Sequence, residues 1–190
     1  FLWTLLFYFS LRYINSKDSK YLLILGVVTG FALLNKYLIA LLLITLLVSL
    51  VFSAHRGIFR QKRLYIGMAI ATLIFLPNLI WQLPHGLPVL EHMRVLNDNQ
   101  LVYVDRFGFF MDQLLMGFSV IFLLLGGFVF LLRKTKYRYI ALTTLLVFAT
   151  LVYLKGKSYY TIGVFPVLIA AGCVTFERLS KNKFYRLVLS

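Results

Sequence analysis

YLLILGVVTGFALLNKYLIALLLITLLVSLVFSA, residues 21–54, decides how this chain folds. The stretch is 34 residues long and its one charged side chain is Lys36. As a single α-helix it would measure about 51 Å at 1.5 Å per residue, against a hydrocarbon layer of roughly 30 Å. One crossing cannot use that length, and Asn35-Lys36 stands near the middle. Two short helices, 21–34 and 37–54, joined by a tight turn at these two residues, resolve the mismatch. The first is then only about 21 Å long, so it needs protein neighbours or a locally thinned bilayer.

The rest of the chain repeats the pattern. Of its 190 residues 61% are hydrophobic and only 14% charged, where a soluble domain keeps roughly a quarter charged. Apolar segments run 1–14, 21–54, 64–82, 108–132, 139–154 and 159–176. With 21–54 divided, they predict an all-α, polytopic transmembrane bundle of seven spans, the first partial. The chain opens on FLWTLLFYFS, already apolar and without an initiator Met, and turns apolar again at FYRLVLS. Both ends read as cuts through a longer protein, and residues 1–190 as one transmembrane domain fragment. Segment 83–107, LPHGLPVLEHMRVLNDNQLVYVDRF, is the one long connection, with Val89, Leu90, Met93 and Leu96 spaced for a short interfacial helix.

Charge gives the orientation. The net charge is +14, but the cations sit in short clusters between apolar runs rather than along one face, which argues against nucleic acid. Four clusters hold 15 of the 20 Lys and Arg residues: Arg12, Lys17 and Lys20; Arg56, Arg60, Lys62 and Arg63; Arg133, Lys134, Lys136 and Arg138; Arg178, Lys181, Lys183 and Arg186. All four fall on one side, the cytoplasmic one by the positive-inside bias, only if 21–54 crosses twice. Lys36, Arg94, Arg106, Lys155 and Lys157 then face out, with Glu91, Asp98, Asp105 and Asp112.

Those outward residues are the candidates for chemistry. A lysine between two apolar helices is costly unless it reaches water or an anion. Lys36 therefore either binds a phosphate at headgroup level or caps the turn and snorkels to the interface. Lys155-Gly156-Lys157, beside Tyr159 and Tyr160, is either a phosphate cradle with tyrosine donors or sugar-facing rings, or a solvated turn with belt aromatics. His85, Glu91, His92 and Asp98 follow no metal-ligand spacing, and a solvated loop is the plainer reading. Asp112 and Gln113 fall in the first turn of a span, where capping competes with function. Trp3, Trp81, Tyr8, Tyr65 and Tyr103 fall near interfaces, as aromatic belts do. Cys173, the only cysteine, reads as a small hydrophobe. No P-loop, nucleotide fingerprint, nucleophile elbow or CxxC supports an ATP-driven or redox role.

Four stretches resemble family 39-type, membrane-embedded glycosyltransferases of the GT-C fold, which include the protein O-mannosyltransferases and the lipid A aminoarabinose transferases. GVVTGFALLNKYLIALLL (26–43) is similar to their helix hairpin, with Asn35 where Thr is usual. FLPNLIWQLPHGLPVLEHM (75–93) resembles their span ending in LPN-x-x-W-Q, and FMDQLLMGFSVIFLLLGG (110–127) the next span, Gln113 at the matching glutamine. LKGKSYYTIGVFPVLIAAG (154–172) resembles their KGK-x-YY turn and following helix. The resemblance covers about 20–176. It implies inverting glycosyl transfer from a polyprenyl-phosphate sugar to a glycan, lipid or protein acceptor, at the outer face of a membrane, the bacterial inner membrane being the expected one. The acid that deprotonates the acceptor is expected in an outer loop before the first span seen here, so the catalytic base is not among these residues. A cofactor stays open, a divalent cation held with that upstream loop being one option, and no metal ligand is assigned here. Lys36, Lys155 and Lys157 are then the phosphate-binding set, with Tyr159, Tyr160, His85 and Gln113 as substrate contacts. The rival readings are a transporter or flippase of lipid-linked sugars, which usually needs ionisable mid-membrane sites, and a non-catalytic membrane scaffold.

Overall fold

A computed structural model describes residues 1–99 and 104–180; Tyr103, Lys181, Lys183 and Arg186 lie outside them. The described residues form helices and no strand. In order these are α1 (Leu2–Ser16), α2 (Lys20–Asn35), α3 (Ile39–Val51), α4 (Lys62–Gln82), α5 (Pro88–Asn99), α6 (Arg106–Gly117), α7 (Ile121–Arg133), α8 (Arg138–Tyr153) and α9 (Phe165–Ser180). Short 3-10 helices precede α4 (Arg56–Arg60), join α6 to α7 (Phe118–Val120) and lead into α9 (Ser158–Val164).

The long apolar segment does divide. α2 stops at Asn35, Lys36 takes an extended conformation with its amide on the Ala32 carbonyl, and α3 begins at Ile39. Three helical stretches, Lys62–Gln82, Arg106–Arg133 and Ser158–Ser180, are long and apolar enough to cross a membrane; Lys20–Asn35, Ile39–Val51 and Arg138–Tyr153 are apolar but shorter. The connection 83–107 carries a helix, α5, with Leu90, Met93 and Val95 exposed.

Packing explains how short helices are held. Gly26 of α2 lies against the Gly67 backbone of α4, where a Cβ would collide with the Gly67 carbonyl. A Cβ on Gly67 would stand 2.5 Å from the Leu22 carbonyl oxygen. Gly127 of α7 and Gly172 of α9 make a second backbone contact, against the carbonyls of Leu168 and Leu123. Small residues let helices approach where lipid supplies no hydrophobic drive between them. Leu6 and Phe7 of α1, Leu42 of α3 and Tyr139, Ile140 and Val147 of α8 make the most buried core, with Ser10 Oγ 3.0 Å from the Tyr139 hydroxyl. Beyond the turn α2 lies on α1 and α4 while α3 lies on α8. Between them is an apolar hollow of about 320 Å³, walled by Leu22, Leu25 and Leu33 of α2, Leu43 and Leu46 of α3, and Phe75 of α4.

The connections sort by end as charge requires. At one end the Tyr137 hydroxyl bonds Asn15 at 3.3 Å and His55 Nε2 lies 2.7 Å from the Lys136 carbonyl. Asp18 lies within the field of Arg63, and its carboxyl falls below the usual range mainly by accepting the Lys20 amide, with the Lys20 ammonium adding to it. Arg178 lies over the Phe130 ring, 5.1 Å from its centroid, near the end of α7. All four basic clusters, the last through Arg178, thus share an end. Lys36 and Lys157 meet at the other.

Candidate functional site

The site begins where α8 stops. Lys155 adopts φ 51°, the left-handed conformation that usually favours glycine. Its amide bonds the Val152 carbonyl at 3.4 Å and the Gly156 amide the Leu151 carbonyl at 2.7 Å, the paired pattern of a Schellman cap. This tight stop turns the chain at once into the Ser158–Val164 3-10 helix. Seven residues is long for such a helix, whose bonds are poorer than those of an α-helix, so side chains must hold it.

They do so from α6. The Ser158 hydroxyl donates to Asp112 Oδ2 at 2.7 Å. Gln113 Nε2 donates to the Ser158 carbonyl at 3.0 Å, and its Oε1 accepts from the Thr161 hydroxyl at 2.6 Å. Gln113 therefore has both ends of its amide engaged in fixing the turn. The helix here begins at Arg106, earlier than the apolar segment suggests, with Asp105 as its cap, accepting from the Gly108 amide at 2.8 Å. Asp112 is thus not in the first turn and does not cap; it anchors Ser158. Ser158 and Thr161 carry no sequence signal as anchors, because both partners come from segments 45 or more residues apart.

On this platform the two lysine turns converge. Lys36 Nζ is 4.7 Å from the Tyr160 ring centroid and 5.6 Å from that of Tyr159. Lys157 Nζ is 6.0 Å from the Tyr159 ring. The two rings meet edge to face at 4.7 Å. Both cations sit within reach of a ring's negative face, which holds an ammonium without neutralising it. The Lys36 side chain is exposed, so its donors stay open to an anion. Lys155 is exposed at the rim of the same turn. Beside it a hollow of about 330 Å³ is lined by Asp105, Asp112, Lys157, Ser158 and Tyr159.

A second polar group lies on the other flank of the Lys36 turn. The Tyr37 hydroxyl donates to Asn78 Oδ1 at 2.5 Å, and Gln82 Nε2 donates to Asn78 Oδ1 at 2.7 Å and to the Tyr37 hydroxyl. Gln82 is 3% exposed and its Oε1 has no partner among the described residues. Asn78 and Gln82 belong to the LPN-x-x-W-Q stretch, the one signal that marked them. His85 is one turn further on, stacked on Trp81 at 4.4 Å with Nδ1 2.6 Å from the Trp81 carbonyl; its amide bonds the Gln82 carbonyl at 3.2 Å, and Gln82 in turn bonds Tyr37. Glu91 and His92 lie on exposed α5. Among the described residues no three His, Cys, Asp or Glu side chains gather as a metal site.

Over residues 1–81 the chain matches the family described as dolichyl-phosphate-mannose-protein mannosyltransferase. That part of the chain, 81 of its 190 residues, is similar to this mannosyltransferase family. The matched part holds α1 to α4 up to Trp81, with Lys36, Tyr37 and Asn78 inside it. The Lys155–Tyr160 turn lies beyond the match and reaches the matched part through Lys36. No curated protein and no solved structure matches the chain significantly.

Proposed function

We propose that this chain forms the lipid-phosphate end of a membrane glycosyltransferase that takes its sugar from a polyprenyl-phosphate donor. Transfer takes place at the extracytoplasmic face of the plasma membrane, to a glycan, lipid or protein acceptor, with inversion at the anomeric carbon. Lys36 and Lys157, with Lys155 at the rim, clamp the phosphate, and the apolar hollow between α2 and α3 takes the near end of the isoprenoid. As the glycosidic bond breaks, the leaving lipid phosphate gains charge. Cations fixed beside it stabilise the transition state more than the substrate, which is where binding energy raises turnover. The acceptor's proton goes to an acid expected upstream of these residues. One observation carries this reading: cations from turns about 120 residues apart in sequence converge on the Tyr159–Tyr160 pair.

The test is binding by the full-length protein of a polyprenyl phosphate against the uncharged polyprenol of equal length. The phosphate is expected to bind at least tenfold tighter, and Lys36→Ala and Lys157→Ala to reduce that margin while polyprenol binding stays put. Equal affinity for the two lipids in the wild type removes the clamp.

A further inference from the structure

At the opposite end of the molecule the α7–α9 pair carries a second, unrelated feature. The backbone contact at Gly127 and Gly172 leaves an outward-open hollow beside it, about 580 Å³ in volume. Its walls are Phe122, Leu125 and Val129 of α7 and Phe176 of α9, and Gly126 is its floor. All four wall side chains are exposed. Arg133 and Lys134 line its mouth, and Arg178 lies over Phe130, another wall residue. No carboxylate pairs with Arg133 or Lys134 among the described residues; Glu177, next in sequence to the wall residue Phe176, has an interaction of its own. A greasy slot ending in two cations matches one occupant by shape and charge: a lipid with an apolar chain and an anionic head.

We propose that this hollow seats an anionic phospholipid of the leaflet at the basic end, an acyl chain along the Phe122–Val129 face and its phosphate between Arg133 and Lys134. Basic pockets between helices at the cytoplasmic surface recognise such heads, each cation being worth about fivefold in affinity near an anionic surface. A zwitterionic lipid fills the same slot without that preference.

A photoactivatable group at the end of one acyl chain makes the seat visible. The full-length protein is reconstituted with either phosphatidylglycerol or phosphatidylcholine so labelled, irradiated, and its cross-linked peptides are mapped. The glycerol lipid is expected to label 121–134 and 165–180 several-fold more than the choline lipid. Arg133→Gln with Lys134→Gln brings it to the choline level at these segments while labelling elsewhere is unchanged. Gly126→Leu is a second variant; a Cβ there meets nothing closer than Phe176 at 3.5 Å, so the side chain enters the slot without moving backbone and labelling by both lipids falls. Equal labelling by the two lipids in the wild type overturns the proposal without any variant. So does a preference that survives the double substitution, or labelling indifferent to Gly126→Leu, the result expected if a protein segment covers the hollow.

Discussion

Lys36→Met keeps the length and apolar stem of the side chain and removes the ammonium. Its consequence follows from the contacts at the turn. Two tyrosine rings hold the ammonium, at 4.7 and 5.6 Å, and each such contact contributes about 0.5–1 kcal/mol at an exposed site. That attraction positions the cation; methionine, whose sulfur also packs well on aromatic rings, replaces much of the packing. The loss falls on the anion. A hydrogen bond to a charged group contributes about 1.5–3 kcal/mol, which is a factor of roughly 10 to 150 in rate or affinity. The bond strengthens as the leaving phosphate gains charge, so kcat carries part of the loss rather than KM alone. The assay is transfer from a radiolabelled polyprenyl-phosphate sugar by full-length protein in liposomes. Expected is a 10- to 150-fold lower kcat/KM for Lys36→Met with a reduced kcat, and a loss of about 2- to 5-fold for Tyr160→Leu, which frees the cation without deleting it. A Lys36→Met enzyme within twofold of wild type in kcat/KM refutes the reasoning.

Other substitutions separate structure from chemistry at neighbouring positions. Lys155→Gly relieves a side chain held at φ 51° and is expected to stabilise the protein by about 1 kcal/mol, read as a higher Tm, while lowering transfer activity if the rim cation meets the phosphate. Asn78→Leu strips the shared acceptor from Tyr37 and Gln82 and is expected to destabilise by about 1–3 kcal/mol, whereas Gln82→Leu loses two donated bonds but also removes an unpartnered buried oxygen and is expected to cost less; denaturation of both variants checks the order. Gly127→Val drives side-chain atoms into the Leu168 carbonyl, an overpacking expected to cost about 1–3 kcal/mol or more, seen as reduced thermal stability and a looser α7–α9 pair in cysteine cross-linking.

Much of this was legible because membrane helices obey few rules. The length of 21–54 and the lone Lys36 within it forced a turn at Asn35-Lys36, and the break falls there. The basic clusters sorted to one end because charge near a span is costly to misplace, and the bonds of Tyr137 to Asn15 and His55 to Lys136 bring those turns together. Helix starts were less legible: an apolar window cannot see that Asp105 caps a helix whose first residue is Arg106. Lys36 and the tyrosine pair were each readable as candidates, but not as partners. Hydropathy carries no information about which turns meet. The supports were hidden for a different reason. Ser158, Thr161, Asn78 and Gln82 are uncharged residues in apolar surroundings, and only their bonds distinguish them from filler. The Lys155 cap was masked by its own residue type, since a cation at a helix end suggests a dipole contact before a left-handed turn.

The central claim is that the Lys36 turn and the Lys157 turn meet on the side opposite the basic clusters. Single cysteines at positions 36, 157 and 134 of an otherwise cysteine-free full-length protein, in intact cells, test it with a membrane-impermeant maleimide. Positions 36 and 157 are expected to react from outside, each to be protected by polyprenyl phosphate, and position 134 to react only after the cells are opened. Labelling of 134 from outside, with 36 and 157 silent until lysis, contradicts it.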